Sequence, residues 1–150
     1  MASAIESRPS PIQELKKIGQ SLWLDNIRRQ LITSGRLARL RDEGLTGVTS
    51  NPTIFEKAVS GSTDYDQALV SLVKQKATPA EMLWGLMVED IQAAADVFRP
   101  VYDKTKGNDG YVSIEVSPTV AGSTRATIKF AEDLRERCRR PTAMVKIPST

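Results

Sequence analysis

The stretch that decides the fold of this chain is residues 111–147, YVSIEVSPTVAGSTRATIKFAEDLRERCRRPTAMVKI. It begins and ends with short runs of β-branched and apolar residues, at 111–116 and 143–147, which are typical of buried strands. Between these runs, residues 120–137 repeat apolar residues at helical spacing, and Ser123 or Thr124 is the expected helix cap. A strand, a helix and a second strand in this order predict two parallel strands joined by a crossover helix.

The rest of the chain repeats this alternation. Apolar runs at 21–25 and 47–49 predict two more strands. The apolar spacing in 79–102 predicts a long helix, and Thr78, Pro79 and Glu81 are typical of its first turn. Shorter helices are expected at 37–41 and 65–76, with a turn-rich connection at 105–110.

These elements predict an α/β fold with a parallel sheet covered by helices. Four strands can form the N-terminal half of an eight-stranded (β/α)₈ barrel or a small open sheet, and periodicity alone leaves both possibilities open. No helix follows the run at 143–147 to cover it, so we expect the sequence to be incomplete as a fold. We predict a disordered segment at 1–10 and an incomplete barrel domain at 11–150.

The composition narrows the possible partners and compartments. With 150 residues, 40% of them hydrophobic, the chain can bury a core, and its formal net charge of +3 is mild and scattered. A metabolite with phosphate groups fits this charge, and neither nucleic acid nor a membrane is an expected partner. A single cysteine, Cys138, excludes an intrachain disulfide and favours a reducing cytoplasm.

The absence of histidine restricts the chemistry of the chain. Histidine-based acid–base catalysis, histidine-ligated zinc and Ser-His-Asp triads are excluded within these 150 residues. Catalysis must therefore come from carboxylates, lysine, hydroxyls and amides.

Polar residues stand at the ends of the predicted strands. Asp25, Glu115 and Lys146 lie at or near the C-terminal ends of three runs, and Asn51 follows the run at 47–49. The C-terminal ends of parallel strands gather around one site. We therefore expect two carboxylates, one amide and one amine to converge.

Lys146 has apolar neighbours in sequence, which predicts an amine whose ammonium form is disfavoured. A neutral amine near pH 7 can attack a carbonyl and form a Schiff base. The alternative is a lysine that reaches from a strand end into solvent along its apolar stem.

The other polar residues have structural alternatives as well. Asp25 can cap a helix at 27–32, and Asn51 can cap a helix that begins with Pro52. Glu115 shares one strand face with Ser113 and is costly to bury unless it is paired or functional.

Four segments in register resemble transaldolase, in the longer bacterial-type branch with the signatures S-x-W-x-D, T-S-N-P and V-K-I-P-[AS]-T. The likeness extends from about Pro11 to Thr150 and rests on 19–25 (GQSLWLD), 47–55 (GVTSNPTIF), 113–117 (SIEVS) and 145–150 (VKIPST). The resemblance implies a (β/α)₈ barrel with an extra N-terminal helix around Pro11–Ile18, and a mechanism that uses no metal or organic cofactor.

The resemblance also implies the role of each site residue. Lys146 would form a Schiff base with a ketose phosphate, Asp25 would take the proton from its C4 hydroxyl, and Glu115 would move protons through a water. Asn51 would hold the dihydroxyacetone unit, with Thr49 or Ser50 nearby. The expected donors are fructose 6-phosphate and sedoheptulose 7-phosphate, and the expected acceptors are erythrose 4-phosphate and glyceraldehyde 3-phosphate.

The family continues for four more strands, which supply the groups that bind the substrate phosphate. We therefore expect residues 1–150 alone to be inactive, with the first and fourth strands as open edges, and the full-length protein to be a possible homo-oligomer. Three alternatives stay open: a fructose 6-phosphate aldolase, a chain that continues into a glucose-6-phosphate isomerase, and a non-catalytic sugar-phosphate-binding fragment.

Overall fold

A computed structural model describes residues 10–148 as one parallel sheet covered by helices. In the described part of the chain the sheet has four strands in the order β1-β2-β3-β4, all of them parallel. They are β1 (Trp23–Leu24), β2 (Gly47–Thr49), β3 (Tyr111–Glu115) and β4 (Ala143–Lys146). The predicted α/β class is confirmed, and sequential parallel order is what the N-terminal half of a (β/α)₈ barrel requires.

The helices follow the strands as predicted. Within residues 10–148 they are α1 (Pro11–Lys17), α2 (Arg29–Thr33), α3 (Arg36–Glu43), α4 (Pro52–Ser60), α5 (Asp66–Lys74), α6 (Pro79–Lys104) and α7 (Thr124–Cys138). Of the predicted disordered segment at 1–10, residues 1–9 lie outside the described part of the chain. Ser10 lies within it and caps α1 by accepting a hydrogen bond from the Gln13 N–H.

Capping side chains decide where the helices begin. Thr78 and Glu81 form the expected capping box at the start of α6. The helix predicted at 120–137 begins later, at Thr124, because the Ser123 hydroxyl accepts from the Ala126 N–H and a 3₁₀ turn occupies Pro118–Val120.

The core lies between the sheet and α6. Val112 and Ile114 of β3 are fully buried on the face toward the helices, whereas Ser113 and Glu115 alternate onto the opposite face. The predicted apolar stripe of α6 packs against this layer and includes the buried Met87, Ile91, Ala94 and Phe98. Of these, the larger side chains Met87, Ile91 and Phe98 each contribute roughly 1.5–3 kcal/mol when fully buried.

The two outer strands are β1 and β4, as predicted for the first and fourth strands. Met144 and Ile147, on and just after β4, are 45% and 53% exposed. Neither outer strand has a second neighbour among residues 10–148, so both leave backbone groups available for pairing. No helix in this part of the chain is long and apolar enough to cross a membrane.

Candidate active site

Lys146 and Glu115 form an ion pair at the C-terminal end of neighbouring strands. The register of β3 and β4 places the two residues opposite each other. The Lys146 Nζ lies 2.7 Å from Glu115 Oε2, and the two side chains are 40% and 18% exposed. A carboxylate that is mostly removed from water therefore has a cation as its partner, which offsets the cost of its burial.

The apolar setting predicted for Lys146 is wrong. Val145 and Ile147 are its neighbours in sequence, but alternate residues of a strand point to opposite faces, so they do not surround the amine. Met144 shares the face of Lys146 and is itself largely exposed. What the amine meets is the carboxylate of Glu115.

Two hydroxyl side chains, Ser113 on β3 and Thr49 on β2, lie on the sheet face that carries Glu115. The Ser113 hydroxyl donates to Thr49 Oγ1 at 2.9 Å, and the strand register pairs these two residues. The Ser50 hydroxyl is fully buried and donates to the Ser113 carbonyl at 2.8 Å, so it ties the end of β2 to β3. Of the two predicted hydroxyls, that of Thr49 therefore lies on the face of the candidate site, whereas that of Ser50 is used in a hydrogen bond to the backbone of β3.

Asn51 is a helix cap, which confirms the structural alternative for this residue. Its Oδ1 accepts a hydrogen bond from the Ile54 N–H at 3.0 Å, and Pro52 occupies the first turn of α4. The cap uses only the amide oxygen. The Nδ2 group donates to no residue in the described part of the chain and keeps its donors for another partner.

Asp25 is not a helix cap. The helix after β1 begins at Arg29, and its N-cap residue is Arg28, which makes no side-chain capping bond. The Asp25 side chain is exposed at the wall of an open cleft of about 720 Å³. Because capping does not use the carboxylate, the structural alternative for Asp25 is wrong.

The cleft lies between the segment that follows β1 and the segment that follows α4. Its wall includes Asn26, Arg28, Lys57, Ser62 and Asp64 beside Asp25. Lys146 and Glu115 are not part of this wall. The structure thus brings Lys146 to Glu115 and Thr49 to Ser113, and it places Asp25 after the other outer strand, β1, at the same end of the sheet.

Two features escaped the sequence predictions. Ser113 was noted only as a neighbour of Glu115 on the strand face, although strand alternation was the signal that could have identified it. The second feature is a buried cluster of Arg29, Tyr65 and Asp90, for which the signal was a carboxylate within the apolar stripe of α6.

Burial dominates the electrostatics of this cluster. It raises the pKa of the Asp90 carboxyl, and the hydrogen bonds from Tyr65 and Arg29 oppose that shift. Burial likewise raises the pKa of the Tyr65 hydroxyl. Among residues 10–148 no group of three or more His, Cys, Asp or Glu side chains is placed to hold a metal ion.

Comparison with known proteins gives one consistent result. The family described as Transaldolase/Fructose-6-phosphate aldolase matches residues 22–150. A protein named Transaldolase from Trichodesmium erythraeum is 44% identical over 138 residues, which are 91% of this chain and 36% of that protein. Transaldolase 2 from Streptomyces avermitilis is 44% identical over 140 residues, which are 93% of this chain and 38% of that protein.

A Transaldolase from Neisseria gonorrhoeae is 39% identical over 139 residues, which are 93% of this chain and 40% of that protein. The chain therefore spans between 36% and 40% of the length of these three relatives.

Proposed function

Because this chain belongs to the Transaldolase/Fructose-6-phosphate aldolase family, we propose that it carries the Schiff-base half of a transaldolase active site. The observation that supports this proposal best is the contact between Lys146 Nζ and Glu115 Oε2 at 2.7 Å. An amine beside a carboxylate, at the C-terminal end of parallel strands, has the groups that imine formation needs.

Glu115 moves the protons of imine formation. It accepts a proton from the Lys146 ammonium, through a water or directly, and leaves a neutral amine. The amine attacks the C2 carbonyl of a ketose phosphate to give a carbinolamine. Glu115 then returns the proton to the carbinolamine hydroxyl, which leaves as water as the protonated imine forms.

Asp25 acts in the cleavage step. Its carboxylate takes the proton of the C4 hydroxyl, and the C3–C4 bond breaks as its electron pair moves into the protonated imine. The aldose phosphate leaves and an enamine remains on Lys146. The enamine attacks the aldehyde carbon of an acceptor aldose phosphate, and hydrolysis of the new imine completes the transfer.

Thr49 and Asn51 hold the dihydroxyacetone unit. The Thr49 hydroxyl lies on the strand face that carries Glu115, and the Asn51 Nδ2 donors are not used by the helix cap. Such groups suit the hydroxyls at C1 and C3 of the substrate.

The substrates that we propose are fructose 6-phosphate or sedoheptulose 7-phosphate as donor, and erythrose 4-phosphate or glyceraldehyde 3-phosphate as acceptor. This reaction belongs to the non-oxidative pentose phosphate pathway in the cytoplasm, and the single buried cysteine suits a reducing compartment. We further propose that residues 1–150 alone do not turn over, because the relatives are much longer and, among residues 10–148, both outer strands of the sheet are unpaired on one side.

Covalent trapping tests this function. The full native chain, at whatever length the gene encodes, is mixed with fructose 6-phosphate and borohydride, and the adduct is mapped by mass spectrometry. We expect an adduct on Lys146 that disappears in Lys146→Ala. Lys129→Ala is the matched control, because Lys129 is an exposed lysine on the helix α7 and not on the strand face that carries Glu115. Trapping that survives Lys146→Ala would refute the assignment.

The family description also includes fructose 6-phosphate aldolase. That enzyme would release free dihydroxyacetone in the absence of an acceptor, whereas a transaldolase retains the unit as an enamine. Measuring dihydroxyacetone with and without glyceraldehyde 3-phosphate or erythrose 4-phosphate separates the two activities. Binding of fructose 6-phosphate without an adduct would favour a non-catalytic binding protein.

A further inference from the structure

Arg29, Tyr65 and Asp90 form a buried hydrogen-bonded network behind the cleft that holds Asp25. The Tyr65 hydroxyl donates to Asp90 Oδ2 at 2.8 Å and accepts from the Arg29 backbone N–H at 2.9 Å. The Arg29 Nε donates to Asp90 Oδ1 at 2.8 Å, and its guanidinium lies over the Tyr65 ring. Tyr65 is fully buried, and Asp90 is nearly so.

The network anchors the segment that carries Asp25. Arg28, at the N-cap position of α2, provides no side-chain cap, so the first N–H groups of this helix need other acceptors. The Tyr65 hydroxyl supplies one of them for Arg29, from a distant part of the chain. Ile27 is buried in the core, so two anchors follow Asp25 within four residues.

The same tyrosine also anchors the opposite wall of the cleft. Tyr65 directly follows the segment 61–64, whose four residues all line the cleft. Its ring contacts Phe55 of α4 in an edge-to-face arrangement, with 5.5 Å between the ring centroids. One buried side chain therefore holds both walls, and Asp90 fixes it to the long helix α6.

Within the described part of the chain, no second donor replaces Tyr65 or Arg29 at the Asp90 carboxylate. Both Asp90 oxygens are used, one by Tyr65 and one by Arg29. Glu89, the other carboxylate that contacts Arg29, is 55% exposed and meets a different guanidinium nitrogen. Loss of the Tyr65 hydroxyl would leave an oxygen of Asp90 and the Arg29 N–H without this partner, and buried groups of this kind are costly to leave unpaired.

From this geometry we infer that Tyr65 and Asp90 are positioning residues that hold Asp25 in place for carbon–carbon bond cleavage. The inference rests on the proposed function, in which Asp25 acts at the C4 hydroxyl and Lys146 at the C2 carbonyl. It adds that the network positions Asp25 and not Lys146, because Arg29, Tyr65 and Asp90 form no hydrogen bond or ion pair with Lys146 or Glu115.

Tyr65→Phe in the full native chain tests the inference, because it removes one hydroxyl and keeps the ring. Dihydroxyacetone with borohydride measures imine formation alone, since this ketone has no C3–C4 bond to cleave. Release of glyceraldehyde 3-phosphate from fructose 6-phosphate in a single turnover measures cleavage. We expect cleavage to slow by about 10- to 100-fold, the scale of a small misplacement of a catalytic group, while trapping by dihydroxyacetone stays unchanged.

Tyr111→Phe is the matched control. The Tyr111 hydroxyl donates to the Gly107 carbonyl at 2.6 Å, at the start of β3 and so at the opposite end of the sheet from Asp25. This control should leave both rates unchanged. A Tyr65→Phe protein in which trapping and cleavage fall together, or in which neither falls, overturns the inference.

Amide hydrogen exchange separates this inference from the proposed function. In Tyr65→Phe the Arg29 amide should exchange about 3- to 10-fold faster. This factor is the change in the opening equilibrium that corresponds to the loss of one hydrogen bond. If the unmodified protein traps no ketone, the proposed function fails, and unchanged Arg29 exchange would overturn the anchoring role by itself.

Discussion

Gly110→Ala should strongly destabilise this protein, because Gly110 has a positive φ and lies against the backbone of Tyr102. Gly110 directly precedes β3, the strand that carries Glu115. Gly110 has φ +90°, a backbone conformation that residues with a side chain rarely adopt. Its N–H donates to the Thr46 carbonyl at 2.9 Å, which aligns the start of β3 with β2.

The magnitude follows from the space around the glycine. A Cβ at this position would lie 2.8 Å from Tyr102 Cα and 2.9 Å from Tyr102 Cβ, with the Tyr102 backbone nitrogen closer still. Helix backbone cannot give way as a flexible side chain can, so overpacking costs about 1–3 kcal/mol. The positive φ adds about 1–2 kcal/mol. Together they reduce the free energy of unfolding by roughly 2–5 kcal/mol, a large part of a typical domain's stability.

Urea unfolding of the full native chain, followed by tryptophan fluorescence, measures this loss. Gly122→Ala is the first control, since it has open space and an ordinary φ, and it should change the free energy of unfolding by less than about 0.5 kcal/mol. Gly85→Ala, in the interior of α6 with open space around it, should stabilise by roughly 0.5–1 kcal/mol. If Gly110→Ala unfolds at the same urea concentration as Gly122→Ala, the steric argument is refuted.

Three further predictions concern the site, the core and the surface. Glu115→Gln should slow trapping of dihydroxyacetone on Lys146 by about 10²- to 10⁴-fold, because the proton carrier is lost; trapping at the normal rate would exclude that role. Cys138 is fully buried, so Ellman's reagent at pH 8 should react only as fast as the protein opens to expose the thiol; burial also raises the pKa of this thiol to about 11. Because that pKa lies above the ordinary value of 9.0, the free energy of unfolding should fall as pH rises from 9 toward 11, a slope that Cys138→Ala should lack. Asp96→Asn should cost at most about 1 kcal/mol and less in high salt, because the bidentate pair with Arg140 is largely exposed; a salt-independent loss of several kcal/mol would contradict this.

Much of the fold follows from local pattern. The bounds of β2, the beginning of α6 and the cap of α7 were predicted correctly, because strand alternation, capping boxes and helical spacing depend on residues that are near each other in the chain. The candidate site residues were also identifiable, because charged side chains at the ends of predicted parallel strands are expected to share one edge of the sheet.

Apart from helix starts, which shifted by a few residues at α2 and α7, the predictions that failed concern the surroundings of single side chains. Lys146 has apolar neighbours in sequence, but those beside it point to the other face of the strand. Aspartate is a common helix-capping residue, but the helix begins four residues after Asp25, at Arg29. There the Tyr65 hydroxyl, from another segment, accepts the hydrogen bond of the Arg29 N–H.

By itself, the sequence determined the alternation of strands and helices and the polar residues at the strand ends, because these depend on contacts between near neighbours. Only the tertiary structure decided which groups meet. The register of β3 and β4 joins Glu115 to Lys146, and packing of α2 against α6 joins Arg29 to Asp90 across 61 positions. Such pairs depend on register and helix packing between distant segments, and no local pattern in the chain encodes a distance of this kind.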